Sequence, residues 1–172
     1  MANNQQIEEW YEMYSQDIYH FLVYYNRTHD VDDLLQDVFI KAHRNLKQFK
    51  GEASPKTWLI TIARRLSIDR ARKQKLKKWL PIKEDVESEQ TISPEQQVVS
   101  DERDDELYTQ INSLKPHYRD VVIYRGVMEL TAKETAEILG WDSKKVDVTF
   151  HRAKQKLRTL LEGQRRDLIE KG

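Results

Sequence analysis

The sequence contains no cysteine, only four prolines and five glycines, and no long apolar run. Without cysteine the chain can form no disulfide, no thiolate nucleophile and none of the usual structural zinc sites, which fits a reducing compartment. No segment is apolar over the roughly 20 residues that a membrane-spanning helix needs. Residues 1–6 show no basic stretch followed by an apolar one, as a secretory signal would. We therefore expect a cytoplasmic protein.

Apolar material is also scarce, since hydrophobic residue types make up 38% of the chain and charged types 34%. A length of 172 residues fits one ordinary domain or two small ones. Together these values favour small helical units over one large core.

The charges are segregated along the chain, although Lys+Arg and Asp+Glu both total 29. Residues 1–40 and 84–106 are strongly acidic, whereas residues 64–78 and 143–166 are strongly basic. A solvated surface usually mixes its signs. Two basic blocks therefore predict two contacts with a polyanion, and the acidic blocks indicate a different partner. The alternative is that the four blocks are only soluble faces.

Three helices are predicted in the N-terminal part. Apolar residues at steps of three and four over residues 7–25 indicate one buried helical face, and the same period continues over residues 31–46. Asp30 is the expected N-cap of this second helix. Ser54 is the expected N-cap of a third helix, with Pro55 at its first position. These helices form a small bundle, and the third continues into the basic block.

Residues 76–103 lose the helical period and have no aromatic residue after Trp79. Such a segment buries too little surface to fold alone. It is predicted to be an acidic linker of about 28 residues, spanning roughly 30 Å as a coil and about 90 Å when stretched. The predicted organisation is thus a domain at 1–75, a linker at 76–103 and a second domain at 104–172.

The second domain has the signals of a helix-turn-helix. Thr131 and Glu134 have the spacing of a capping box, Gly140 ends that helix, Trp141 fills the corner, and Asp142 caps the last helix. The residues expected inside the last helix are Val146, Phe150, Ala153, Leu157 and Leu160.

The last helix is a candidate for reading duplex DNA, because the second helix of this motif lies in the major groove. Lysine and arginine can donate to guanine or phosphate, threonine can contact a thymine methyl, and aspartate can accept from cytosine. The alternative is a structural hairpin with a charged outer face. The exposed positions are predicted to be Ser143, Lys144, Lys145, Asp147, Thr149 and Arg152.

Several motifs resemble those of bacterial RNA polymerase sigma factors. The family patterns are L-P-x-x-Y-R, L-S-x-x-E-x-A-x-x-L-G and T-V-K-S-R-x-H-R-A-R near the C-terminus, and D-L-x-Q-E-x-F, F-x-G, T-W-L-x-x-I-A-x-N and D-x-x-R-K nearer the N-terminus. The corresponding segments here are residues 114–119, 130–140, 146–154, 33–39, 49–51, 57–64 and 69–73. A compact form with two domains and no extra region resembles the extracytoplasmic-function (ECF) group.

The resemblance implies that the second helix docks on RNA polymerase core. An acidic unit suits a basic protein surface. The alternative is that Leu34 and Phe39 are core residues and that the aspartates solvate the helix start. The implied polymerase-binding residues are Asp33, Leu34, Gln36, Asp37 and Phe39.

The resemblance further implies that the third helix and the loop before it recognise and melt the minus-ten promoter element, holding an unpaired base. Trp58 can stack on a base, but its helical spacing favours a core position. Arg65 departs from the common asparagine, which leaves the base preference open. The implied residues are Phe49, Lys50, Lys56, Arg64, Arg65, Asp69, Arg72 and Lys73.

For the minus-thirty-five element the resemblance implies contacts from the last helix. Asp147 stands where the family usually has lysine, and Thr149 where arginine is common. With two cations fewer, the last helix is predicted to make weaker phosphate contacts and to have a changed sequence preference. The implied contacts are Ser143, Lys144, Lys145, Thr149 and Arg152.

The family resemblance also implies an anti-sigma factor, often membrane-bound, as a partner. The acidic linker either mimics a polyanion inside polymerase or serves as a spacer kept off DNA. Its reach suits two promoter elements about 50–60 Å apart.

The chain is not expected to be an enzyme or to bind a cofactor, a metal or a small-molecule ligand, because its five histidines are scattered and its glycines are isolated.

Two other classes of function compete with this interpretation. A one-component regulator would bind operators without polymerase, and it would leave the motifs at 33–39 and 57–73 unexplained. A helical adaptor that binds only proteins would have no salt-dependent affinity for DNA.

Overall fold

The structure, a computed structural model, describes residues 2–79 and 102–170. Within these ranges it contains helices and turns and no strand, which confirms the predicted all-α fold. The central linker residues 80–101 lie outside the described residues. The helices are α1 (Ala2–Asn26), α2 (Asp32–Asn45), α3 (Pro55–Trp79), α4 (Glu102–Ser113), α5 (Pro116–Val121), α6 (Ala132–Leu139) and α7 (Ser143–Glu170), with a 3₁₀ turn at Leu46–Gln48 and a π-helical turn at Val122–Val127.

Helices α1, α2 and α3 form the N-terminal bundle, each packing on the other two. Apolar residues at helical spacing on each helix supply its core, as the period of the sequence predicts. The fully or nearly buried members include Ile18, Phe21, Leu22, Leu34, Val38, Ala42, Leu59, Ile60 and Ala63.

The ends of these helices agree with the predictions at α3 and differ at α2. The backbone N–H of Thr57 donates to Ser54 Oγ over 3.1 Å, so Ser54 caps α3 and Pro55 is its first residue, as predicted. The prediction that Asp30 caps α2 is wrong, because the N-cap is Val31 and no side chain caps the helix. Asp30 instead sits in the preceding corner, where its N–H donates to Thr28 Oγ1.

Helix α3 also continues to Trp79, so residues 76–79 are helical although the apolar period has ended. Leucine and lysine are good helix formers, and they extend the helix without a buried face.

The C-terminal bundle contains the predicted helix-turn-helix, formed by α6 and α7. Thr131 and Glu134 form a complete capping box, and Gly140 ends α6 with a φ of +68°. The N–H of Lys145 donates to Asp142 Oδ1 over 2.8 Å, which confirms Asp142 as the cap of α7.

The interior of α7 is predicted correctly except at Leu160. Val146 and Ala153 are fully buried, and Phe150 and Leu157 are partly buried against the core. Leu160 is exposed, whereas its neighbour Leu161 is partly buried. The reason is that α7 is 28 residues long and leaves the bundle here, since residues 162–167 are all exposed.

The two bundles pack directly against each other. The rings of Phe21 and Tyr124 lie 5.7 Å apart between centroids, and those of Tyr24 and Tyr108 lie 5.3 Å apart. The buried guanidinium of Arg119 donates through Nη2 to the backbone carbonyls of Tyr24 and Tyr25. We call this contact the interdomain seam; its residues are Phe21, Tyr24 and Tyr25 on α1, and Tyr108, Arg119 and Tyr124 on the C-terminal bundle.

None of the described helices is long and apolar enough to cross a membrane.

Candidate polymerase and nucleic-acid interfaces

The five residues predicted to bind polymerase divide into a buried pair and an exposed set. Leu34 and Phe39 are only 4% and 6% exposed, so they hold α2 in the bundle, in line with the core alternative. Asp33, Gln36 and Asp37 are exposed on the outer face of α2. An acid in the first turn also complements the positive end of the helix dipole. The surface that the first half of α2 offers to a partner is therefore acidic and polar, and Ile40, which is 47% exposed, follows it on the same side of the helix.

The loop between α2 and α3 is anchored by an aromatic cluster. The Phe49 ring lies 5.0 Å from Trp10 and 5.3 Å from Trp58 between centroids, and both contacts have the tilted or edge-on geometry that aromatic pairs favour. Trp58 is thus partly buried and packs against the core, as its spacing favours. Lys50 is exposed on the loop, and Lys56 Nζ lies 3.6 Å from an Asp17 carboxylate oxygen.

Helix α3 presents a mainly cationic face. Arg65, Asp69 and Arg72 are spaced by four and three residues, so they share one side of the helix, and Lys73 follows next to it. All four are exposed. This face can meet a nucleic-acid backbone without any change in the bundle.

Arg64 is separated from that face, because it is partly buried beside the interdomain seam. Its charge acts on Tyr25 and Tyr124, lowering the pKa of each, although burial raises both values more strongly. Its Nε is buried and has no hydrogen-bond partner among the described residues. Arg64 is therefore less open to a nucleic acid than Arg65, Arg72 and Lys73.

The loop before α3 also touches the helix-turn-helix directly. Thr57, only 3% exposed, donates from Oγ1 to Glu134 Oε1 over 3.1 Å. Burial alone would raise the pKa of Glu134, but hydrogen bonds from Thr131 and Thr57 outweigh it and hold the pKa below its usual range. The ionised carboxylate thus links the first turn of α6 to the first turn of α3.

The seam buries charged and polar groups that sequence reasoning missed. Burial lowers the pKa of Arg119 and raises that of Asp120. Arg119 satisfies its guanidinium with the two α1 carbonyls and with Asn112 Oδ1 at 3.3 Å, as a buried cation must. The sequence contains Arg119 within the motif at 114–119, but no local signal indicates that it reaches another bundle.

The first half of α7 carries the predicted duplex-reading surface. Ser143, Lys144, Lys145 and Arg152 are exposed, and Thr149 is partly buried. Lys145 Nζ also lies 4.2 Å from the centre of the Trp141 ring. Four of the five predicted contacts are thus open to a partner.

Asp147, the unusual acid of this helix, has a local partner. Its Oδ1 lies 3.6 Å from Nη2 of Arg125 in the π-helical turn. Arg125 in turn donates to the Leu130 carbonyl over 2.8 Å. The arrangement ties the Asp147 carboxylate to its own domain.

Comparison with known proteins agrees with this geometry. The family profile Sigma-70 region 2 matches residues 10–77, and Sigma-70 region 4 matches residues 104–157. The RNA polymerase sigma factor YlaC of Bacillus subtilis strain 168 is 36% identical over 163 residues, covering 92% of this chain and 93% of YlaC. ECF sigma factor SigX of the same organism is 33% identical over 93% of this chain and 86% of its own length. The chain belongs to the ECF sigma factors.

Two solved structures share the fold of this sigma factor. RpoE of Bartonella quintana, solved with the anti-sigma factor NepR, superposes with a TM-score of 0.70 at 21% identity, covering 92% of this chain and 98% of RpoE. CnrH, solved with the cytosolic domain of CnrY, gives a TM-score of 0.65 at 19% identity, covering 93% of this chain and 90% of CnrH.

The domain matches assign the elements of this sigma factor. Helices α1, α2 and α3 belong to region 2, and α4 to the first half of α7 belong to region 4. As a sigma factor, the protein binds RNA polymerase core and directs initiation at specific promoters.

Proposed function

We propose that the three surfaces of this sigma factor have separate tasks. The exposed face of α2, with Asp33, Gln36 and Asp37, binds a basic surface of polymerase core. The cationic face of α3 binds the minus-ten element, and the first half of α7 binds the minus-thirty-five element. The observation that carries the proposal is the separation of one acidic protein-binding face from two basic faces on different bundles.

At the minus-ten element the loop at 49–57 receives an unpaired base while α3 holds the strand. Lys50, Arg65, Arg72 and Lys73 are exposed there and supply the charge for the backbone. Capture of an extruded base requires a pocket beside such cations. Arg64 joins this surface only when region 4 moves away from the seam.

At the minus-thirty-five element α7 lies in the major groove with its N-terminal residues at the base edges. Lys144 and Arg152 supply donors for guanine or phosphate. Asp147, paired with Arg125, contributes no cation at a position where the family usually has one. We expect weaker phosphate binding there and a correspondingly altered sequence preference.

The partners proposed for this chain are core polymerase, promoter DNA and an anti-sigma factor, which is often membrane-bound in the family. The solved neighbour RpoE, which is bound to the anti-sigma factor NepR, supports the last of these. The protein acts in the cytoplasm, where core polymerase is, and catalyses no reaction itself. Polymerase supplies the chemistry.

The test is run-off transcription by core polymerase with and without the chain, across a pool of genomic fragments. Lys144→Ala combined with Arg152→Ala should reduce initiation and leave core binding intact. Asp37→Lys should abolish the ability of the chain to compete for binding to core polymerase. Loss of core binding in the double variant would contradict the division of tasks, and a footprint by the purified chain alone would favour a one-component regulator.

A further inference from the structure

The outward face of α7 contains an exposed apolar residue that belongs to none of the predicted contacts. Val148 is 42% exposed, whereas Val146 is fully buried and Phe150 is partly buried. Among the described residues 143–157, Val148 is the only large apolar side chain that is exposed. It interrupts a surface that is otherwise polar and mainly cationic. What it can bind on DNA depends on the apolar groups that a duplex presents.

The direction of Val148 follows from the period of the helix. Successive residues of an α-helix are rotated by about 100° around its axis. Val146, Phe150 and Ala153 lie on the side of α7 that packs on the core. Val148 lies about 200° from Val146, almost opposite the core, whereas Thr149 lies about 300° from Val146, on the flank. Val148 therefore faces the base edges when α7 lies in the major groove, and the partly buried Thr149 does not.

The charged neighbours of Val148 are held to the sides by residues of their own domain. Asp147 Oδ1 lies 3.6 Å from Nη2 of Arg125. Lys145 Nζ lies 4.2 Å from the centre of the Trp141 ring. These contacts draw both charged side chains to the flanks of α7 and leave Val148 open to a partner.

Two cations flank Val148 along the same face of the helix. Lys144 precedes it by four residues and Arg152 follows it by four, so each lies about one turn away on the same side. Both are exposed and can donate to guanine or to phosphate. Contacts from these two residues would hold the helix close to the base edges between them, where Val148 lies.

The chemistry of the major groove sets the partner of this side chain. The C5-methyl group of thymine is the only methyl group that an unmodified base pair presents there. Against any other base edge, the valine would remove water from polar groups without replacing their hydrogen bonds, which is unfavourable. Against thymine it buries one apolar surface on another, which is favourable.

We propose that Val148 selects a thymine within the minus-thirty-five element by packing on its C5-methyl group. The proposal rests on the proposed function, in which α7 lies in the major groove. It gives the methyl contact to Val148 instead of Thr149, the residue that the sequence indicates. Val148 stands where the family pattern T-V-K-S-R-x-H-R-A-R has serine, so this contact is a property of this chain and not of the family.

The first experiment measures the affinity of holoenzyme for a promoter found in the run-off assay. Thymines of the minus-thirty-five element are replaced one at a time by deoxyuridine, which lacks only the C5-methyl group. Wild-type holoenzyme should bind about threefold to fivefold more weakly after one of these replacements, the effect of one buried methyl group. Val148→Ala should bind the two duplexes equally at that position. Because residue 148 is exposed and alanine is the better helix former, this variant should fold normally.

Thr149→Ser is the matched comparison, because it removes the methyl group of the flanking residue and keeps the hydroxyl. This variant should still distinguish thymine from deoxyuridine, whatever its overall affinity. The proposal is overturned if Val148→Ala keeps the discrimination, or if wild-type holoenzyme shows none at any thymine of the element. Loss of discrimination in Thr149→Ser alone overturns it too, because the methyl contact then belongs to Thr149.

The second experiment places the methyl group on a different base. Cytosine replaces the selected thymine, and 5-methylcytosine then replaces cytosine, so these two duplexes differ by one methyl group. Wild-type holoenzyme should bind the methylated duplex about threefold to fivefold more tightly, and Val148→Ala should not distinguish the two. Equal binding of both duplexes by wild-type holoenzyme overturns the proposal. If wild-type holoenzyme initiates at no promoter, the proposed function fails instead, so the two failures are distinguishable.

Discussion

Removing the hydroxyl of Tyr124 should stabilise this protein. Tyr124 is fully buried in the interdomain seam, and its hydroxyl has no hydrogen-bond partner among the described residues. Arg64 lies near enough to lower the pKa of Tyr124, which burial raises more strongly, but no hydrogen bond of normal geometry joins the two side chains. A buried hydroxyl without a partner costs about 1–3 kcal/mol. The change Tyr124→Phe keeps the ring against Phe21 and removes that cost.

The expected gain is about 1 kcal/mol in the free energy of unfolding. For a chain of this length that corresponds to a rise of about 2–4 °C in the melting temperature. Thermal and urea unfolding of both proteins measure it, and the urea m-value should not change. Tyr11→Phe is the matched control, because Tyr11 is 47% exposed and should respond little.

A fall in the melting temperature of the Tyr124→Phe variant would refute the reasoning, since it would mean that the hydroxyl is satisfied in the folded protein. The absence of native cysteine allows a second readout. Dyes placed through Lys47→Cys and Glu162→Cys report the distance between the two bundles. Tyr124→Phe should raise energy transfer between them, because a seam without the unpaired hydroxyl favours the packed arrangement.

Three further changes test other parts of the structure. Arg119→Leu removes the donors to the two α1 carbonyls and should lower stability by about 2 kcal/mol and reduce energy transfer, whereas Arg158→Leu on exposed α7 should do neither. Gly140→Ala places a Cβ at a φ of +68° and should lower the free energy of unfolding, measured by urea titration, by about 1–2 kcal/mol. Gly163→Ala, within α7, should raise it in the same titration by up to about 1 kcal/mol. Because the pKa of Glu134 is lowered in the folded state, its contribution is present above its unfolded value and lost as the pH falls through the folded one. Glu134→Gln should therefore lose less stability between pH 7 and about pH 3, and an equal loss would contradict this account.

Local signals predicted the helix boundaries that depend on neighbouring residues. Ser54, Thr131 and Asp142 each bond to a backbone N–H three residues later, so their roles are visible in the sequence. Gly140 is predictable for the same reason, because a helix end in the left-handed region favours glycine. The prediction that Asp30 caps α2 failed because several residue types can precede a helix. In the corner before α2 the backbone N–H of Asp30 donates to Thr28 Oγ1 instead.

The interdomain seam was not predictable from the pattern of residues. The contact from Arg119 to the α1 carbonyls joins residues about ninety positions apart, and its acceptors are backbone atoms that any sequence supplies. The π-helical turn at Val122–Val127 carries an apolar period that is compatible with an ordinary helix. Leu160 likewise keeps the helical spacing of the buried residues. At this position α7 extends beyond the C-terminal bundle, so there is no core against which Leu160 could pack.

The candidate site was partly predictable, since charge segregation and motifs indicated the helices that we propose meet polymerase and DNA. These signals did not distinguish the buried Leu34 and Phe39 from their exposed neighbours, because residues within one helical turn lie on both the buried and the exposed face of α2.

The hydrogen bond between Thr57 and Glu134 has a consequence for affinity. It holds the loop of region 2 against the helix-turn-helix, whereas the two promoter elements are expected about 50–60 Å apart. We infer that the packed arrangement does not span that interval and that only molecules with parted regions are competent for a whole promoter. If these made up about 1% of the population, apparent affinity would be about a hundredfold weaker than intrinsic affinity. Core polymerase would restore the intrinsic affinity by binding only the form with parted regions. Without polymerase, the protein would bind its promoters poorly.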